Sequence, residues 1–128
     1  MEDQNLSITT TLKGKTPRLP FVRMKEEVLG KRYSLSLVFI GDQRARTLNK
    51  RFRNKDYVPD VLSFPLEKTV GEIFINPYQA RRRARDFDMN TDQFIALLFI
   101  HGMLHLKGLR HGSTMERKER AYLDRLYS

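Results

Sequence analysis

The stretch NTDQFIALLFIHGMLHLKG, from Asn90 to Gly108, constrains the fold of this 128-residue chain more than any other segment. Asn90 or Thr91 can cap the start of a helix, and Gly108 can end it in a left-handed turn. Between Phe94 and Leu106 hardly a polar residue occurs except two histidines. Because a helix that is apolar on all sides must be buried on most of them, we predict that this helix lies at the centre of the fold.

Three other segments have the pattern of strands. In YSLSLVFIG, which begins at Tyr33, apolar residues alternate with serines, which is strand periodicity. DVLSFP and GEIFINP are short stretches rich in β-forming residues, and each ends at a proline. The beginning of the chain is loose or forms a further strand. Together these segments predict a mixed sheet of about four strands.

The remaining segments have the pattern of helices. PRLPFVRMKEEVLG predicts an early helix that Gly30 closes, and Asp42 is the expected N-cap of a basic helix that runs to about Lys50. PYQARRRARDF begins with proline near its first turn. STMERKERAYLDRLYS opens with Ser113-x-x-Glu116, the pattern of a capping box. We therefore predict an α+β fold in which the sheet and these helices pack around the central buried helix.

Composition narrows the class of protein. The chain has 40% apolar residues and no repeat or linker, which predicts one globular domain over residues 1–128. No window approaches the roughly 20 apolar residues that a membrane span needs, and the first residues do not resemble an export signal. The absence of cysteine excludes disulfides and thiolate metal sites and is compatible with a reducing cytosol.

The charge points to a polyanionic partner. Lys and Arg outnumber Asp and Glu by 24 to 15, which gives a net charge of +9. A small domain with such an excess often binds nucleic acid, although a generally basic surface gives the same total. The basic residues form two clusters that can follow a phosphate backbone if folding brings them to one face: Arg44, Arg46, Lys50, Arg51, Arg53 and Lys55, and Arg81, Arg82, Arg83 and Arg85.

All three histidines of the chain lie within HGMLHLKGLRH. His101 and His105 are one helical turn apart, a spacing that lets two imidazoles bind one cation. A turn at Gly108 brings His111 within reach of the same point. Three imidazoles fill three positions of a tetrahedral Zn²⁺ and leave the fourth open, as in catalytic sites. The alternative is a cluster of hydrogen-bonded core histidines.

The spacing H-x-x-x-H-x-x-G-x-x-H also occurs in the metzincin proteases. Those enzymes carry a glutamate directly after the first histidine as the general base. Here that position is Gly102, so the usual base for peptide hydrolysis is missing. A metzincin-like protease therefore stays only a remote alternative.

Three motifs in the same order resemble the YbeY family of bacterial rRNA maturation endoribonucleases. HGMLHLKGLRH is similar to that family's H-G-x-L-H-L-x-G-[YF]-D-H signature. LNKRFRNKDYVPDVLSFP resembles its LN…YR-x-KD-x-PTDVLSFP block, and GEIFIN resembles its GDI-x-I strand. The similarity extends from about residue 35 to 120.

The resemblance implies a cytoplasmic, zinc-dependent endoribonuclease that is specific for single strands. It implies a role in 3′-end maturation of 16S rRNA and in ribosome quality control. The expected partners are rRNA, the small ribosomal subunit, and ribosomal or ribosome-assembly proteins. By motif position His101, His105 and His111 are the metal ligands, and Arg53 is the arginine beside the site.

The sequence also departs from the family pattern. Arg110 replaces the usual aspartate before the third histidine, and Pro59 precedes Asp60 where the family has threonine. Asp60, Ser63 and Glu72 are candidates for supporting roles beside the metal, although both acids also suit turn hydrogen bonds or salt bridges. A second hypothesis is a non-catalytic, ribosome-associated RNA-binding factor with a structural metal.

Overall fold

The computed structural model describes residues 5–127, which form a four-stranded sheet and five helices. The strands are β1 (Leu6–Thr10), β2 (Ser34–Phe39), β3 (Val61–Glu67) and β4 (Val70–Ile75). The helices are α1 (Phe21–Leu29), α2 (Asp42–Arg53), α3 (Pro77–Ala84), α4 (Thr91–Leu106) and α5 (Ser113–Leu126), with a short 3₁₀ turn at Arg85–Phe87. The strand order is β1-β2-β4-β3; only the β3–β4 pair is antiparallel. The predicted α+β fold with a mixed sheet is confirmed.

The sheet is covered on both faces. Alternate residues of a strand point to opposite sides, so Ile73 and Ile75 of β4 face α4, whereas Phe74 faces α2. Phe74 packs with Ala45 of α2 in a small second cluster. The larger core lies between the sheet and α1, α3, α4 and α5.

α4 occupies the centre of that larger core, as the sequence predicts. Its buried residues lie on all sides of the helix: Phe94, Ile95, Ala96, Leu98, Phe99, Ile100, Gly102, Met103 and Leu104. The Asn90 side chain caps it by accepting a hydrogen bond from the Gln93 N–H at 2.8 Å. Gly108 follows its last turn at a φ of +95°. Even so, no helix within residues 5–127 is long and apolar enough to cross a membrane.

Two predicted N-cap residues are wrong. Gly41, not Asp42, is the N-cap of α2, and the Asp42 carboxylate in the first turn instead accepts hydrogen bonds from Asn76 and Arg82 of the α3 region. Gly112 is the N-cap of α5, so Ser113 lies one residue inside and makes no capping hydrogen bond. In both cases the preceding glycine occupies the N-cap position, and the polar residue becomes the first residue of the helix.

α4 approaches the sheet closely at Gly102. A Cβ atom at this position would lie 2.8 Å from Ser63 Oγ and 3.1 Å from Ile73 Cδ1. The same closeness lets the Ser63 hydroxyl donate a hydrogen bond to the Gly102 carbonyl at 3.0 Å. A side chain at position 102 would therefore point into the sheet, where a glutamate has no space. The catalytic base of the metzincin proteases cannot be accommodated at this position.

Replacing Gly102 by alanine is expected to lower the free energy of unfolding by about 1–3 kcal/mol, because the added methyl group overpacks the contact with the sheet. At an uncrowded helical position the same change would raise stability by about 1 kcal/mol. Urea unfolding of Gly102→Ala beside wild type measures whether the free energy of unfolding falls or rises. In a Ser63→Ala background the loss should be smaller, because the nearest atom is gone. A Gly102→Ala protein as stable as wild type would contradict the close contact.

Candidate metal centre and cleft

The three histidines converge on one point. His101 and His105 lie one turn apart on α4, and their Nε2 atoms are 3.0 Å apart. His111 follows the turn at Gly108, and its ring centroid is 4.9 Å from each of the other two. One nitrogen from each imidazole lies within 4.8 Å of the other two. The cluster can hold a metal ion.

Two of the imidazoles are oriented by partners on their outer side. His105 Nδ1 is 3.1 Å from the Leu109 carbonyl, and His101 Nδ1 pairs with the Glu119 carboxylate of α5. Both partners are hydrogen-bond acceptors, so each Nδ1 carries the proton and each Nε2 presents its lone pair to the shared point. These orientations are the ones that metal ligation requires, and the residues fit the metal that the sequence predicts.

The environment also favours the neutral form of the central imidazole. Partial burial lowers the pKa of His105 below its ordinary value, and the nearby His101 and His111 lower it further. The hydrogen bond to the Leu109 carbonyl and the Glu119 charge oppose this shift without reversing it. Because only a neutral imidazole can ligate a cation, the lowered pKa keeps His105 ready to bind.

A cleft of about 1130 Å³ opens beside the histidines. Three arginines line it together with the imidazoles: Arg53 from the end of α2, Arg83 from α3 and Arg120 from α5. Arg53 Nη1 donates to Asn49 Oδ1 at 3.3 Å, and the buried Asn49 also donates to the Tyr57 carbonyl at 3.2 Å. Asn49 thus connects the cleft arginine to the loop that forms the cleft wall.

Several other predicted residues reach this cleft. Asp60 lines it, is only 8% exposed and forms an ion pair with Arg83, so it orients that guanidinium. Ser63 also lines the cleft, with its hydroxyl bonded to α4. Both residues support neighbouring groups at the cleft wall.

Other predicted residues lie elsewhere. Glu72 pairs with Phe64 in the β3–β4 ladder and lies on the α2 side of the sheet, so β-strand alternation directs it away from the histidines. Arg46 forms an ion pair with Asp56, and Arg82 forms one with Asp42. The remaining basic residues of the two clusters lie outside the cleft lining: Arg44, Lys50, Arg51, Lys55, Arg81 and Arg85.

The sequence analysis missed Glu119 and Arg120 of α5. A signal for Glu119 is present in the sequence, because it lies four residues after Met115 and four before Leu123. Both apolar residues are buried, so Glu119 is an acid on the apolar face of an amphipathic helix. A charge in that position needs a partner, and here the partner is His101.

Comparisons with known proteins agree with this fold and identify the family of the chain. A family model described as Endoribonuclease YbeY matches residues 2–127. The chain therefore belongs to the YbeY family.

Individual relatives carry the same description. The chain is 39% identical to the Endoribonuclease YbeY of Nautilia profundicola over 99 residues, covering 72% of this chain and 71% of that protein. It is 35% identical to that of Mycoplasma mycoides over 95 residues, which are 66% of this chain and 58% of the relative. The chain thus matches less than two thirds of the length of the Mycoplasma protein.

A solved structure also superposes on this one. The solution structure of TM1509 from Thermotoga maritima has a TM-score of 0.69 and 28% sequence identity to this chain. The match covers 95% of this chain and 89% of TM1509. The similarity therefore includes the sheet and the helices around it.

The stability of the metal-free protein should fall as the pH drops below about 6.5. Between the ordinary pKa of histidine, 6.5, and the lowered pKa of His105, the unfolded chain binds a proton that the folded chain does not. Urea unfolding in EDTA between pH 7.5 and 5 measures this slope, and His105→Asn should reduce it. Asp42 and Asp56, whose pKa values are lowered from 3.8, act in a more acidic range. An unchanged slope in His105→Asn would contradict the assignment.

Proposed function

We propose that this chain is a metal-dependent endoribonuclease that cleaves single-stranded RNA. Three imidazoles that face one point beside an arginine-lined cleft are the observation that carries the proposal. Membership of the YbeY family and the names of the relatives support the same activity. In this proposal residues 1–128 act as one domain in the cytoplasm, in 3′-end maturation of 16S rRNA and in ribosome quality control.

His101, His105 and His111 hold the cation in this proposal, and Zn²⁺ is the cation that three imidazoles suit best. A bound divalent cation would supply Lewis acidity to the phosphoryl group and make a water molecule more acidic. Glu119 keeps the His101 ring turned towards the shared point through the bond to Nδ1. The Leu109 carbonyl does the same for His105.

Arg53 binds the phosphate group at the site of cleavage. A guanidinium has five N–H donors, and only one group of Arg53 is used by Asn49. The others can hold two phosphate oxygens and stabilise the charge that develops during cleavage. Because the buried Asn49 already holds Arg53 in place, the side chain loses less conformational entropy when it binds a phosphate.

The basic residues outside the cleft attract the RNA strand. Arg83 lies in the cleft, and the exposed cations of α2 and α3 extend the positive surface away from it. The ion pair between Arg82 and Asp42 joins these two helices, so both clusters belong to adjacent surfaces. Arg46, Arg82 and Arg83 contribute less attraction than the other cations, because each already forms an ion pair with a carboxylate. The partners in this proposal are rRNA, the small ribosomal subunit and its associated proteins.

The purified protein is expected to bind one Zn²⁺ per chain, measured by competition with a chromophoric chelator. His105→Ala should abolish this binding. Glu119→Gln should weaken it about 10- to 100-fold, because His101 loses the carboxylate that orients it. Glu116→Gln is the matched control: Glu116 is an acid on the same helix that also lines the cleft. Equal affinity of the two glutamine variants would contradict the role of Glu119.

Cleavage should require both the metal and Arg53. Wild-type protein should cut a single-stranded rRNA fragment and lose this activity in EDTA, while Arg53→Ala should be slower by about 10²-fold or more. Arg32→Ala is the control, because Arg32 is an exposed arginine that lies outside the cleft lining and outside both basic clusters. Products are resolved on denaturing gels, beside thermal melting with and without EDTA.

Two other outcomes would favour different functions. Loss of folding and RNA binding in EDTA, with no cleavage by the intact protein, would support an RNA-binding factor with a structural metal. Hydrolysis of casein would support a protease. Equal RNA cleavage by wild type, His105→Ala and Arg53→Ala would reject the metal-dependent nuclease.

A further inference from the structure

The cleft extends beyond the histidines along one face of α4. Phe94, Leu97 and Leu98 line it, followed on the same face by His101 and His105. With a rise of 1.5 Å per residue, the separation of seven positions between Phe94 and His101 corresponds to about 10 Å along the helix axis. The cleft thus has a polar end at the imidazoles and an apolar end about 10 Å away.

An exposed aromatic ring lies at the apolar end. Phe87, the last residue of the 3₁₀ turn, is 48% exposed although it lines the cleft. Its ring centroid is 5.1 Å from that of the buried Phe94, with the two planes tilted by 36°. Phe94 therefore supports Phe87 from the core side and leaves much of its ring in contact with solvent.

A guanidinium lies beside the two rings. The Cζ atom of Arg83 is 5.4 Å from the Phe87 centroid and 5.8 Å from the Phe94 centroid. Its ion pair with the buried Asp60 fixes this position. A supported aromatic ring with a guanidinium held beside it is an arrangement on which an unpaired base can stack.

We propose that this end of the cleft is a nucleobase subsite, in which one base of the bound RNA stacks on Phe87. The subsite rests on the proposed function, because its occupant belongs to the strand whose phosphate lies at Arg53 and the histidines. It takes a base from single-stranded RNA, since a paired and stacked base presents no free face. Stacking is tolerant of base identity, so the subsite selects for an unpaired nucleotide and not for a sequence.

Binding of short RNA measures the subsite without cleavage. Fluorescence anisotropy in EDTA would compare an oligonucleotide of eight adenosines with a series in which one abasic ribose replaces each nucleotide in turn. Wild-type protein should bind one member of the series on the order of 10-fold more weakly than the intact strand. Phe87→Leu, which keeps an apolar contact with Phe94 but has no aromatic face, should bind all members about equally.

The matched control is Phe52→Leu. Phe52 is 60% exposed, has the Arg51 guanidinium 5.3 Å from its ring and lies outside the cleft lining. This variant should keep the wild-type dependence on the abasic position, and Phe87→Tyr should keep it too. Thermal melting checks that each variant is folded.

Two results would overturn the subsite. One is wild-type affinity that does not depend on the position of the abasic ribose. The other is a Phe87→Leu variant with the same positional dependence as wild type. Neither result bears on whether the protein cleaves RNA, because cleavage is tested separately through the metal and Arg53. Conversely, a protein whose affinity depends on the position of the abasic ribose but that cleaves no RNA would support the subsite and reject the nuclease.

Discussion

The close packing of α4 against the sheet is the constraint on which the rest of the structure depends. Gly102 permits this approach, since any side chain there would meet Ser63 and Ile73. This contact fixes the distance of α4 from the sheet and its rotation about its own axis. His101 and His105 therefore face the cleft instead of the core. The same rotation places Phe94 and Leu97 along the cleft floor. One buried helix therefore sets both the position of the candidate metal centre and the direction of the cleft.

The features that were predictable from sequence are those that depend on local spacing. The apolar pattern of α4 identifies it as the central helix, and a separation of four residues places two histidines on one face. Features that depend on contacts between distant segments were not predictable in this way. Glu119 meets His101 only because α5 docks on α4, and Glu72 faces away because of its register in β4. The prediction of Asp42 as the N-cap of α2 was wrong because Gly41 occupies that position.

The cleft combines groups from several separate elements. α4 and the following turn supply the imidazoles, while α2 supplies Arg53 and the 3₁₀ turn supplies Phe87. Buried polar residues hold the charged groups in place: Asn49 binds Arg53, and Asp60 binds Arg83. Because Arg53 and Arg83 are each held by a buried polar residue of the wall, these two guanidinium groups are preorganised before a ligand arrives.

The bond between Glu119 and His101 has a consequence for the order in which the protein becomes functional. α5 follows α4 in the chain, so during synthesis the two histidines of α4 leave the ribosome before their carboxylate partner does. A nascent chain with α4 exposed but α5 still unmade has an incompletely oriented metal centre. Docking of α5 therefore completes the orientation of His101, and the candidate metal centre takes its final form only once α5 has packed on α4.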